Sequence, residues 1–135
     1  MRKRSTLTFA GCLAMGILAT TGTAQAEDGV AQCFTTGAAG SLYYRYQGGV
    51  TAPIDVELGV SDTSADNHHV AVRLITRDTN GDRHNWSWHH WYSGKDTGKT
   101  WNTTAQDTDK GIRDLGVQAA VFEGSTLLNS CTEWA

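Results

Sequence analysis

The sequence predicts an all-β fold, a small antiparallel β-sandwich or barrel with one disulfide tying its termini. Apolar and polar residues alternate over several short segments, and nothing in the chain sustains a helical period. Clusters of glycine, asparagine, aspartate and serine separate these segments at intervals of about ten residues, as expected for an antiparallel all-β domain. Two cysteines, Cys33 and Cys131, lie near the two ends of the predicted domain.

The first 26 residues are predicted to be a secretory signal peptide. Residues 1–4 supply positive charge, residues 7–19 are mostly apolar, and residues 24–26 form the small-x-small pattern that signal peptidase recognises. The apolar stretch is shorter than the roughly 20 residues that span a bilayer. Lipidation at Cys12 is an alternative, although the apolar run continues beyond that cysteine. We therefore expect one secreted β-domain over residues 27–135.

The mature chain is acidic. Removing the leader leaves 8 basic residues against 14 acidic ones, a formal net charge of −6. A protein that binds nucleic acid needs clustered lysine and arginine to neutralise phosphates, whereas here the basic residues are scattered among carboxylates. We therefore expect no nucleic-acid partner and no membrane association after the leader is cleaved.

An even number of cysteines remains after cleavage, which in an oxidising compartment predicts one disulfide, Cys33–Cys131. The bridge would close almost the whole domain into a loop. In the chain-entropy model a loop of this length stabilises the fold by about 4 to 5 kcal/mol. Two free thiols are the alternative.

Six segments are predicted to be strands. Residues 54–60 place an apolar side chain at every even position, as in a strand with one buried face. Residues 27–32, before the first mature cysteine, are instead expected to form a short mobile arm. The predicted strands cover residues 42–47, 54–60, 68–77, 84–92, 99–103 and 112–123, the last with Leu115, Val117, Ala119 and Val121 on the core side.

Residues 84–92 carry an aromatic ring at every even position, so one face of this predicted strand is lined by rings. Such a stripe is suited to stacking on a sugar ring or to packing against a partner protein. The candidate binding residues on and beside it are Trp86, Trp88, His90, Tyr92 and Arg73.

The register of the hairpin decides whether this stripe is surface or core, because a shift of one residue sends every side chain to the opposite face. If Asn80 and Gly81 form a two-residue type I′ turn, Trp88 lies opposite Arg73 and the stripe is exposed. If the turn is one residue longer, Trp88 lies opposite Val72 and the stripe is core. In the first register Trp86 lies opposite Ile75 and His90 lies opposite Ala71. In the second register Trp86 lies opposite Leu74.

No complete catalytic constellation is present, so we expect no enzymatic activity. The chain has no Gly-x-Ser-x-Gly motif, and its mature cysteines are expected to be oxidised. Residues 78–82 open like a calcium loop, but the expected glycine and glutamate positions are Arg83 and His89, which favours a turn. Adjacent histidines on a strand point to opposite faces, so we expect no metal site and no cofactor. The chain's five histidines are His68, His69, His84, His89 and His90, and two adjacent pairs, 68/69 and 89/90, occur among them.

The layout resembles small secreted proteins of Streptomyces-type actinobacteria. The shared features are the leader ending in Ala-Gln-Ala, an Ala-, Gly- and Thr-rich body, the Cys33 and Cys131 pair, and Trp-Ser-Trp-His-His-Trp at residues 86–91. Tyr44-Arg45-Tyr46 is similar to the aromatic-Arg-aromatic triplet that tendamistat-like amylase inhibitors present on a β-turn. That family has two disulfides in a shorter chain, and the second is absent here.

The layout also resembles the β-rich adaptor subunit of umbrella toxin particles, secreted antibacterial complexes that join a lectin-like subunit to a toxin-bearing scaffold. We therefore expect a secreted, non-enzymatic module that binds a secreted protein partner through the aromatic stripe and the arm at residues 27–32. The resemblance implies an adaptor in an extracellular antibacterial toxin complex. The alternative is a carbohydrate-binding or enzyme-inhibitor module, using Trp86, Trp88 and Tyr92 against sugar rings or Tyr44, Arg45 and Tyr46 as an inhibitor triplet.

Overall fold

The structure, a computed structural model, describes residues 27–135, so the predicted signal peptide and Cys12 lie outside the described residues. The described chain folds into two antiparallel sheets packed on each other, which confirms the predicted all-β sandwich. Between residues 27 and 135 no helix is long and apolar enough to cross a membrane. The strands are β1 (Asp28–Thr35), β2 (Ala38–Tyr46), β3 (Ile54–Asp62), β4 (His69–Arg77), β5 (Arg83–Asn85), β6 (His89–Trp91), β7 (Thr97–Ala105), β8 (Asp114–Glu123) and β9 (Thr126–Trp134).

Sheet I has the strand order β1-β2-β3-β7, and sheet II has the order β9-β8-β4-β5, with β6 also pairing with β4. The alternating side chains of β3 and β8 point between the sheets, as their sequence patterns predict. They form the centre of the hydrophobic core, where Leu58 and Leu115 are each 1% exposed and Val117 is fully buried.

The disulfide Cys33–Cys131 joins β1 of sheet I to β9 of sheet II, which confirms the predicted pairing. Its Cα atoms are 5.7 Å apart, and 98 residues separate the two cysteines along the chain. Since each cysteine points into the space between the sheets, the bridge ties the two layers together as well as the two ends of the domain.

The predicted mobile arm at residues 27–32 is wrong, because these residues enter β1. This strand pairs with β2 without a break, from Asp28 opposite Arg45 to Thr35 opposite Ala38. Its small inward side chains, including Ala31, are buried in the core. Sequence reasoning also missed β9, whose mostly exposed residues show no alternation.

Strand β4 is buried on both faces for most of its length. Val70, Val72 and Leu74 point into the core between the sheets. The alternate residue Ala71 points to the outer face of sheet II, yet it is fully buried. Side chains from other strands therefore cover the outer face of β4, and they come from residues 88–92 and from β8.

Candidate functional site

The turn between β4 and β5 sets the first part of the hairpin register. The Asp78 carboxylate accepts hydrogen bonds from the backbone N–H groups of Asn80 and Asp82, at 2.8 and 3.0 Å. Gly81 has a φ of 89°, but Asn80 lacks the positive φ that a type I′ turn requires. The two-residue turn is therefore wrong, and the longer turn pairs Ile75 with Asn85.

A β-bulge then changes the register along residues 86–89. The Trp86 N–H donates to the Leu74 carbonyl oxygen at 3.0 Å, whereas His89 pairs with Val72. Two residues, Ser87 and Trp88, consequently lie opposite the single residue Arg73. A bulge of this kind redirects the side chains that follow it. Each register considered from the sequence is therefore correct over one part of the hairpin: the longer turn up to Trp86, and the shorter turn from His89 onward.

The bulge divides the predicted aromatic stripe between the two faces of sheet II. Trp86 packs against the main core, and its Nε1–H donates to Thr76 Oγ1 at 3.1 Å. Trp88 instead packs on the outer face against buried Phe122, and His90 and Tyr92 share that face. A continuous outer stripe that includes Trp86 is therefore wrong.

Sequence reasoning did not identify the inward-facing side chains that follow the bulge as structural residues. Trp91 packs against the core, and its Nε1–H donates to Thr97 Oγ1 at 2.9 Å. The His89 ring lies 5.0 Å from the ring of Trp101 on β7. These contacts hold β6 against sheet I, so the aromatic residues on its opposite side have a fixed support.

Arginine and aromatic side chains lie together on the outer face of sheet II. The Arg73 guanidinium lies 4.3 Å from the centre of the Trp88 ring, and its Nε–H donates to Gln118 Oε1 at 2.8 Å. The Trp88 ring meets Phe122 edge to face, with ring centres 5.3 Å apart. We call this surface the outer aromatic patch, and its members are Arg73, Trp88, His90, Tyr92, His69 and Phe122.

Histidine and tyrosine rings form the second half of the outer aromatic patch. The Nε2 atom of His69 lies 2.9 Å from Nδ1 of His90, so one ring nitrogen donates and the other accepts. Tyr92 stacks on His69 with ring centres 4.2 Å apart, and its own side chain is 70% exposed. Burial, together with the neighbouring His90, lowers the pKa of His69. Both effects disfavour protonation of the His69 ring.

His69 and Phe122 were not among the predicted site residues. They lie directly opposite each other on β4 and β8, although they are far apart in sequence. The alternation along each strand already indicated that these two side chains face outward. The pairing of β4 with β8 was the missing information, because non-local strand order is not encoded in local periodicity.

A second arginine cluster lies further along the same outer face. The guanidinium of Arg77 lies 3.8 Å from the centre of the Trp134 ring, and that of Arg83 lies 5.9 Å from it. Arg77 is also paired with Asp114 at 3.7 Å. Trp134 belongs to β9, a strand that was not predicted, so this contact was not expected.

Tyr44, Arg45 and Tyr46 lie within β2, where residues 42–47 were predicted to form a strand, so the triplet is not presented on a β-turn. The two tyrosines pack against the core with their rings nearly perpendicular, 5.6 Å apart. The Tyr46 hydroxyl lies 3.1 Å from the carbonyl oxygen of Ile112, to which it donates, and burial raises its pKa to about 12. Arg45 faces the other way and pairs with Asp28 at 3.3 Å.

The outer face of sheet I differs chemically from the outer face of sheet II. It carries an open groove of about 460 Å³. Within the described chain, residues 27–135, no group of three or more His, Cys, Asp or Glu side chains is placed to hold a metal ion. The groove is lined mainly by Tyr43, Arg45, Asp55, Glu57, Asn102 and Thr104.

Comparison of the chain with protein-family models, with curated proteins and with solved structures found no match.

Proposed function

We propose that the domain is a secreted, non-enzymatic module that binds a protein partner through the outer aromatic patch. The observation that carries the proposal is the arrangement of Arg73, Trp88 and Tyr92 on one outward surface, supported from beneath by buried rings. Tryptophan, tyrosine and arginine are the residues most enriched at the energetic centres of protein interfaces. Their positions here are fixed by packing, so little side-chain entropy is lost on binding.

The same geometry favours a protein over a sugar. Stacking on a sugar needs a free ring face, but the Arg73 guanidinium lies over the Trp88 ring. Trp86 packs against the core and is not available beside Trp88. An inhibitor triplet is disfavoured for a similar reason, since Tyr44 and Tyr46 also pack against the core.

In its specific form, the proposal makes this domain the adaptor subunit of an extracellular antibacterial toxin complex. Support for the adaptor role comes from the resemblance in layout to the adaptor of umbrella toxin particles. Support for secretion comes from the predicted leader and from the disulfide, because disulfides persist mainly in oxidising compartments. The partners would then be the lectin-like subunit and the scaffold of the same particle.

Affinity capture with matched variants tests the proposal. Tagged mature protein is incubated with the culture medium of its producing organism, and bound proteins are identified by mass spectrometry. We expect Arg73→Ala combined with Tyr92→Ala to weaken capture of a stoichiometric partner at least about 30-fold, the effect of losing a residue at an interface centre. The control replaces Tyr43 and Arg45 on sheet I by alanine, the same residue types on the opposite face, and should capture normally.

Two results would overturn the proposal. Equal capture by the two double variants would place the contact elsewhere. Binding to a glycan array, with no protein captured by the wild type, would replace the proposal with the carbohydrate-binding alternative. Circular dichroism of both variants establishes that lost capture does not reflect lost folding.

A further inference from the structure

The two sheets have four edges, and three of them carry features that discourage pairing with another strand. Lysine at an edge and β-bulges are common devices of this kind. On β7, Lys99 lies on the edge strand. A register shift between Leu127 and Asn129 interrupts β9. The third protected edge is formed by β5 and β6, which are three residues long each and are separated by the bulge at residues 87–88.

The remaining edge strand, β1, has no such protection. It pairs with β2 in one continuous register and contains no lysine or proline. The Tyr46 N–H donates to the Glu27 carbonyl oxygen at 3.0 Å, which marks Glu27 as a hydrogen-bonded position. Hydrogen-bonded pairs alternate along an antiparallel ladder. The N–H and C=O groups of Val30, Gln32 and Phe34 therefore point away from β2, along the open edge.

The side chains of the same three residues lie on the outer face of sheet I. Val30 is 68% exposed and Phe34 is 71% exposed, and Gln32 lies between them. The one charged residue of β1, Asp28, is already paired with Arg45 at 3.3 Å. Two copies of this edge would therefore meet without repulsion between unpaired like charges.

We propose that β1 pairs antiparallel with β1 of a second copy of the chain, around a two-fold axis at Gln32. Gln32 then lies opposite its own copy, and on each side of the axis Val30 lies opposite Phe34 of the second copy. All of these are positions whose backbone groups point outward, so each pair exchanges two hydrogen bonds. The two four-stranded sheets join into one continuous sheet.

This register is favoured over its neighbour. An axis at Ala31 would place Phe34 opposite Asp28 of the second copy and would separate the two apolar side chains. Each apolar cross-strand pair favours association, and the axis at Gln32 provides two of them. Beyond Phe34 the edge is closed, because the Asn129 side-chain amide donates to Thr35 Oγ1 and to the Thr36 carbonyl oxygen, both at 2.8 Å.

The contact between the two β1 strands is small, so the dimer is weak. A single strand pair buries less than the roughly 1,200 Å² of a stable interface, so the dimer should dissociate on dilution. This self-association lies on sheet I and is independent of the outer aromatic patch on sheet II.

Sedimentation velocity from micromolar to millimolar concentrations tests the dimer. We expect the wild-type mass to rise towards twice the monomer mass. Gln32→Pro removes an N–H that the monomer does not use, and Phe34→Lys replaces the apolar side chain of both Val30–Phe34 pairs with a charge, so both should remain monomeric. The control Thr100→Lys adds the same charge at the far edge of sheet I and should dimerise normally. A monomeric wild type at millimolar concentration, or dimerisation of Phe34→Lys at the wild-type level, would overturn the proposal.

Cysteine cross-linking tests the register. Facing residues in a hydrogen-bonded pair have Cα atoms about 5.5 Å apart, within disulfide range. Gln32→Cys should therefore give a covalent dimer on mild oxidation, with Cys33–Cys131 intact by peptide mapping. Val30→Cys lies on both sides of the axis and should not cross-link. Faster cross-linking of Val30→Cys, or none in Gln32→Cys, would contradict pairing about Gln32.

Discussion

Replacing both cysteines by alanine should remove a large share of the free energy that keeps this domain folded. The Cys33–Cys131 bridge closes a loop of 98 residues. A loop of that size corresponds to about 4.7 kcal/mol of lost entropy in the unfolded chain. A domain of this size has a total unfolding free energy of about 5 to 15 kcal/mol. We therefore expect Cys33→Ala combined with Cys131→Ala to lose about 4 to 5 kcal/mol.

Urea denaturation followed by tryptophan fluorescence measures this loss, since five tryptophans report on the fold. The slope of the unfolding free energy with urea should also rise, because an unbridged unfolded chain exposes more surface. Wild-type protein with its disulfide reduced is the matched control and should unfold at the same urea concentration as the double variant. A loss below about 1 kcal/mol would refute the loop-closure reasoning, because it would mean that the unfolded chain stays compact without the bridge.

Burial and the neighbouring His90 lower the pKa of His69, so the folded chain binds a proton at this ring less readily than the unfolded chain does. The free energy of unfolding should therefore be independent of this ring above about pH 6.5 and should fall as the pH drops below that value. His69→Gln should reduce this fall in urea titrations at several pH values, and an unchanged pH slope would contradict it. Trp86→Ala should lower the free energy of unfolding by about 2 to 3 kcal/mol and Tyr92→Ala by less than about 1 kcal/mol, because Trp86 packs against the core and Tyr92 is exposed. A larger loss for Tyr92→Ala than for Trp86→Ala in chemical denaturation would contradict the bulge. Gly40→Ala places a Cβ 2.7 Å from a side chain of β8, so thermal unfolding should show a loss of about 1 to 3 kcal/mol, and an unchanged Tm would mean that the sheets separate easily there.

Two of the strands predicted from the sequence, β3 and β8, were recognisable because one of their faces lies in the core. Alternation in residues 54–60 and 112–123 identified β3 and β8, because each strand lies between a core face and an outer face. Strand β9 gave no comparable signal, since it lies at a sheet edge and is exposed over most of its length. Strand β1 was missed because its inward side chains are small and its outward Val30 and Phe34 are apolar, so the two faces look alike.

The candidate site was predictable only in part. Arg73, Trp88, His90 and Tyr92 share a surface because the register after the bulge places them there. The bulge itself could not be inferred from the sequence. It restores the register that the extra turn residue had shifted by one, and the side-chain hydrogen bonds of Asp78 stabilise that longer turn. A sequence pattern reports the parity of a strand, but it does not report where that parity changes.

Site-specific photocross-linking tests the central claim, that the outer aromatic patch is the surface that binds a protein partner. A photoreactive phenylalanine analogue replaces Tyr92 in one variant and Tyr43, on the opposite face, in a control variant. Each is irradiated in the culture medium of the producing organism. We predict that position 92 cross-links to a secreted protein and that position 43 does not. Cross-linking from position 43 alone, or none from position 92 in a protein that still captures its partner, would contradict the claim.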